Sequence, residues 1–161
     1  TQNIHSLYTN FNIYKNLLSN YLNPVFRYKF LSEFKYSSSD LPIFSKEYIG
    51  GQNYVRGYSA IPLKNIINNS REMIEVDNFI INTVEIQNTL LERKEYIKKI
   101  EIGVDLVHFL DWGVGYNLNN SINLDNFLLG YGFGLRIFLM GTIIKLDYAF
   151  NIHGSSRPHL F

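Results

Sequence analysis

Pro24-Val25-Phe26-Arg27-Tyr28-Lys29-Phe30-Leu31-Ser32-Glu33-Phe34-Lys35-Tyr36 is the stretch that decides the fold. One set of alternate positions carries Phe26, Tyr28, Phe30, Phe34 and Tyr36, with Ser32 the single exception. The other carries Arg27, Lys29, Glu33 and Lys35 beside Val25 and Leu31. Residues two apart share one face of a strand, so this is a strand with an apolar, aromatic face and a charged face.

The same period recurs along the chain. Ile80, Val84, Ile86 and Leu90 alternate with Thr83, Glu85, Gln87 and Thr89. Ile100, Ile102, Val104 and Leu106 oppose Glu101, Gly103, Asp105 and Asp111. Tyr131, Phe133, Leu135 and Ile137 oppose Gly132, Gly134 and Arg136, and Ile144, Leu146, Tyr148 and Phe150 oppose Lys145, Asp147 and Ala149. Leu7 to Tyr14 is a weaker candidate. Composition agrees: 16% of the 161 residues are aromatic, and the chain is rich in Asn, which favours turns. A net charge of +1 gives no basis for a nucleic-acid surface. The absence of cysteine excludes a disulfide scaffold, a cysteine-ligated zinc and a thiol nucleophile.

Such strands build either a soluble sandwich or a membrane barrel, and period alone does not separate them. Three features favour the barrel. The strands are long, about 9–13 residues, near the ~9–11 of a tilted membrane strand. Their apolar faces are aromatic, as interfacial girdles are, and their polar faces carry both signs of charge together with glycines that leave space inside. Short turns are expected at Glu92-Arg93-Lys94-Glu95 and Met140-Gly141, and long polar loops at 37–78 and 117–126, which is the outer-membrane alternation. Asn3 to Leu22 and Asn65 to Val76 admit an amphipathic helix instead, though both are poor in strong helix formers.

No catalytic constellation emerges. His5, His108, His153 and His159 form no H-E-x-x-H motif, and His108 falls on an apolar strand face. Ser37-Ser38-Ser39-Asp40 lacks a nucleophile elbow. Gly130-Tyr131-Gly132-Phe133-Gly134 lacks the spacing and the following helix of a phosphate cradle. Glu101 and Asp105, on one strand face, lie roughly 13 Å apart, too far for a glycosidase pair. The expectation is a non-enzyme with no cofactor and no metal.

One segment is specific. Asp40-Leu41-Pro42-Ile43-Phe44 leads to Tyr48-Ile49-Gly50-Gly51-Gln52-Asn53-Tyr54-Val55-Arg56-Gly57-Tyr58. It resembles the loop signature of the BamA/TamA outer-membrane assembly superfamily, the bacterial surface antigen barrels. Val84-Glu85-Ile86 resembles that family's strand with an inward glutamate, and Phe109-Leu110-Asp111-Trp112-Gly113 its F-x-D-x-G strand end. Gly130 to Ile137 with Ile144-Lys145-Leu146-Asp147-Tyr148-Ala149 resembles its last hairpin. These elements fall in the family's order.

The resemblance implies an all-β, antiparallel transmembrane β-barrel. At ~10 residues per strand, residues 1–161 supply about six or seven strands of a barrel of about 16, with a lumen-directed loop at 37–78. A chain that does not begin with Met then reads as the C-terminal part of a longer protein. The resemblance also implies that Gly50, Gly51, Val55, Arg56, Gly57 and Tyr58 form a loop folded into the lumen, where Arg56 meets inner-wall acids. Glu85 and Asp111 lie on the polar faces of their strands and are its expected partners. The implied function is folding and insertion of β-barrel proteins in the bacterial outer membrane. Polypeptide export of the two-partner secretion type and anchorage of a patatin-like lipase are alternatives on the same barrel, an organelle outer membrane is a minor alternative location, and a soluble ligand-binding β-domain is the outlier. Implied partners are outer-membrane lipid, unfolded β-barrel clients, the remainder of the barrel, periplasmic POTRA modules and accessory assembly proteins.

Overall fold

The computed structural model describes residues 3–17, 23–37, 41–42, 45–59, 75–97, 100–118, 127–152, 154 and 156–160. The strands are β1 (Ile4–Asn16), β2 (Val25–Ser37), β3 (Glu47–Tyr48), β4 (Glu75–Val76), β5 (Asn78–Ile97), β6 (Ile100–Tyr116), β7 (Phe127–Leu139), β8 (Thr142–Asn151) and β9 (Ser156–Leu160). Seven of them form one antiparallel sheet in the order β1-β2-β5-β6-β7-β8-β9, each beside its neighbour in the chain, with β1 and β9 at the two edges. β3 and β4 make a small ribbon within the β2–β5 connection.

The register aligns one polar row across five strands: Lys29, Thr83, Asp111, Gly130 and Asn151 stand side by side. Alternation sorts the two faces. Phe34, Tyr36, Ile86, Leu110, Tyr131, Phe133, Leu146 and Tyr148 are exposed on one side, whereas Glu85, Asp105, Asp111, Arg136 and Asp147 are buried on the other. A broad apolar face turned outward is what lipid covers in a membrane barrel. His108 lies on this outward face, opposite Ile86 and Phe133. Among the described residues no helix is long and apolar enough to cross a membrane.

The inner face is not uniformly polar. Towards the long-loop end, Leu31, Phe79, Ile81 and Leu128 point inward and pack with Ile49, Val55, Tyr58 and Val76. The loop folds onto this part of the wall and excludes water, so apolar residues are favourable there.

Two local expectations are corrected. Glu92 to Glu95 is not a turn: β5 runs to Ile97, and its pairing with β6 continues to Ile97–Ile100 through three register shifts beyond Thr89. No Gly, Pro, Asn or Asp lies between Leu90 and Ile97 to supply turn geometry, so the charged run is carried on strand and its irregularity taken up by bulges. Since β2 begins at Val25, opposite Gln87, residues 88–97 pair only with β6 among the described residues. The helix considered over Asn3 to Leu22 is strand β1 from Ile4 to Asn16. Of Asn65 to Val76 only Glu75 and Val76 are described, as strand β4; the rest, like 119–126 in the second long loop, lies outside the described residues. Met140-Gly141 is a tight turn, with φ of 49° and 85° joining Leu139 to Thr142, the double positive φ of a type I′ hairpin.

Burial in lipid has a testable gradient. Leu110 sits near the middle of the β6–β7 ladder, which runs from Ile102–Leu139 to Val114–Phe127, and Val104 sits near its short-turn end. Leu110→Arg is expected to cost about 2–4 kcal/mol and Val104→Arg about 0–1 kcal/mol, read as folding yield into vesicles. Asp105→Asn faces the other way, where Asp105 accepts a hydrogen bond from Gln87 at 2.6 Å, and an amide oxygen keeps that bond. It should be mild. Equal losses at Leu110 and Asp105 would contradict the face assignment.

Candidate functional site

The site is built by the segment that follows β3. Gly51 N–H donates to Val55 O at 3.0 Å, Val55 N–H to Ile49 O at 3.2 Å and Tyr54 N–H to Gly51 O at 3.2 Å, which closes a compact turn. Gly50 forms the neck, where an added Cβ would lie 2.3 Å from Ser59 O. Val55 and Tyr58 are fully buried on either side of the Arg56-Gly57 pair, and the Tyr58 hydroxyl lies 3.3 Å from both N and O of Leu129 on β7. Gly57 is required twice over. Its φ is +92°, and a Cβ there would stand 2.7 Å from Phe150 O on β8.

Between these anchors Arg56 reaches the inner wall. Its Nε and Nη2 donate to Asp111 Oδ2 and Oδ1 at 2.7 and 2.8 Å, the planar two-pronged fit of guanidinium to carboxylate. Its backbone N–H adds a bond to Asp111 Oδ2 at 3.1 Å. Nη1 lies 2.8 Å from Glu85 Oε1 and 3.0 Å from Asp147 Oδ2. The guanidinium carbon stands 3.5 Å from the ring centroid of Phe109, so the first residue of the F-x-D-x-G segment supports the cation from beneath. Burial works against the charge on Arg56, but its hydrogen bonds to Asp111 and the charges of Asp111, Glu85 and Asp147 outweigh it and raise its pKa.

The structure thus brings Arg56, Glu85 and Asp111 together and places Gly50, Gly51, Val55, Gly57 and Tyr58 around them. Asp40, Ile43 and Phe44 of the quoted segment lie outside the described residues. Residues not singled out from the sequence complete the arrangement. Asp147 on β8 is shared between Arg56 and Arg136 on β7, whose Nη1 and Nη2 both bond it. Arg27 holds Glu85 from β2 at 2.9 Å. Asn151 Nδ2 donates to Gly57 O at 2.9 Å, and Gly57 N–H approaches His159 Nε2 on β9 at 3.4 Å. Gly130 makes the docking possible, since a Cβ there would lie 1.8 Å from Arg56 O. Asp147 and Gly130 were legible as inward-facing residues, but the register that brings them to the loop was not.

Three arginines and three carboxylates interleaved on the inner wall can hold a loop in place. Among the described residues no cluster of His, Asp and Glu has metal-binding geometry.

An antiparallel sheet with an apolar outer face, and a connecting segment drawn onto its inner wall by a buried arginine, defines a class: a transmembrane β-barrel domain with a lumenal loop. The family model of the Omp85 superfamily domain matches residues 2–158, and the chain belongs to that superfamily. Its members are outer-membrane barrels that insert or secrete proteins, so the chain is a barrel segment of an outer membrane. A comparison with curated proteins found no match.

Proposed function

We propose that the chain is part of an assembly factor of the BamA type, which folds and inserts other β-barrel proteins into a bacterial outer membrane. The observation that carries this reading is the reach of the loop. Arg56 and Gly57 together contact β5, β6, β8 and β9, so the position of the loop is coupled to that of the edge strand β9 of the described sheet. A sheet edge is a template on which an incoming strand can pair, and a device that sets its position regulates that pairing. The work is done by strand exchange and needs no catalytic centre.

The clients are unfolded β-barrel chains, and POTRA modules and accessory subunits are the expected periplasmic partners. The test uses the full-length protein in lipid vesicles with an unfolded β-barrel client. Acceleration of client folding over empty vesicles, lost in a variant with the loop undocked, supports the proposal. Passage of a soluble polypeptide into the vesicles without client insertion would place the chain with the export barrels instead.

A further inference from the structure

Between the loop tip and the inner wall lies a cavity of about 300 Å3 whose lining is strongly cationic. Arg27, Lys29, Arg56, Arg136 and Lys145 contribute five positive charges, against Glu85 and Asp147, in a chain whose net charge is only +1. The two carboxylates are already committed. Glu85 is held by Arg27 and Arg56, and Asp147 by Arg56 and Arg136. Asp111, behind Arg56, is taken by the same guanidinium.

Two lysines are therefore left over. The Lys29 ammonium donates to the backbone oxygen of Asn53 at 3.2 Å and has no carboxylate within ion-pair distance among the described residues. Lys145, opposite Arg136 in the β7–β8 ladder, is exposed to the cavity and has neither an ion pair nor a hydrogen bond among them. Gln52 and Asn53 of the loop bring amide groups to the same space. Clustered cations with low-dielectric walls concentrate field and draw in an opposite charge.

We propose that this cavity is a binding site for a small oxyanion, a carboxylate or phosphate group, held between Lys29 on β2 and Lys145 on β8 with the loop tip as its third wall. The group arrives either as a free ion or on the acidic side chain of a polypeptide within the barrel. The inference holds for an inserting and an exporting barrel alike.

The test is calorimetric titration of the full-length protein in lipid nanodiscs at low ionic strength. The probes are inorganic phosphate, a short Asp-rich peptide and its Asn counterpart. Phosphate or the Asp peptide is expected to bind and the Asn peptide not, with binding suppressed by salt. Lys145→Gln should weaken binding about tenfold, the loss of one charge-assisted hydrogen bond, and Lys29→Gln by a similar factor. Lys145 gives the cleaner arm, because its replacement removes no bond that holds the loop. Binding of phosphate without the peptide identifies the source as the free ion, and peptide binding competed by phosphate identifies it as an acidic chain. Absence of binding by both, or undiminished binding in Lys145→Gln and in the double variant, would overturn the site.

Discussion

Arg56→Ala is expected to free the loop from the wall while leaving the sheet intact. Glu85 retains Arg27 and Asp147 retains Arg136, so the residue stranded is Asp111, whose side chain is 0% exposed and whose guanidinium partner among the described residues is Arg56 alone. Removing one member of a buried ion pair costs on the order of 3–5 kcal/mol, less where water can enter the vacated site. That cost falls on the docked loop, whose alternative is to detach. The chain has no cysteine, so a single Gln52→Cys at the exposed loop tip reports docking through its rate of labelling by a membrane-impermeant maleimide. Labelling should accelerate in Arg56→Ala and client insertion should fall. Arg56→Lys should resemble it, because an ammonium cannot span Asp111, Glu85 and Asp147 with the geometry of a planar fork. Unchanged labelling and insertion in Arg56→Ala would refute the role given to the loop.

Gly130→Ala is expected to undock the same loop without altering a charge. The added Cβ would stand 1.8 Å from the backbone oxygen of Arg56, and neither the strand nor the loop backbone can yield that distance by a rotamer change. Overpacking of this kind typically costs about 1–3 kcal/mol. Tyr131→Phe, one residue on and facing outward, is the matched control and should leave labelling at the loop tip as it is. Combined with Arg56→Ala, Gly130→Ala should add little, since a loop already released has nothing left to lose at Gly130. A double-mutant cycle on labelling rates checks this, and full additivity would mean that the two residues act on different events.

Much of this architecture was legible in the residues. Alternation assigned the faces of β2, β5, β6, β7 and β8, because a strand half in contact with an apolar phase has to repeat every second residue. The loop signature singled out Arg56, and the inward faces offered Glu85 and Asp111. Inter-strand register was not legible. Nothing in Leu146-Asp147-Tyr148 states that Asp147 stands opposite Gly134, near enough to the loop to be shared by two arginines. The apolar inner cluster of Leu31, Phe79, Ile81 and Leu128 was hidden for a related reason: an inward leucine looks like an irregularity until the loop that covers it is in place. The charged run from Glu92 to Glu95 was misleading because charge imitates a turn, whereas a turn needs residues that tolerate its dihedral angles.

The span of the clamp has a consequence for the order in which this domain matures. Arg56 bonds a residue 55 positions ahead on β6 and another 91 ahead on β8, and Gly57 meets one 102 ahead on β9. Contacts of such separation close late, after nearer pairings have shortened the intervening chain. The clamp cannot be complete until β8 and β9 are in place, so its closure reports that these strands have joined β5 and β6. A sheet lacking β8 and β9 would hold the loop through Glu85 and Asp111 but without its contacts to Asp147 and His159.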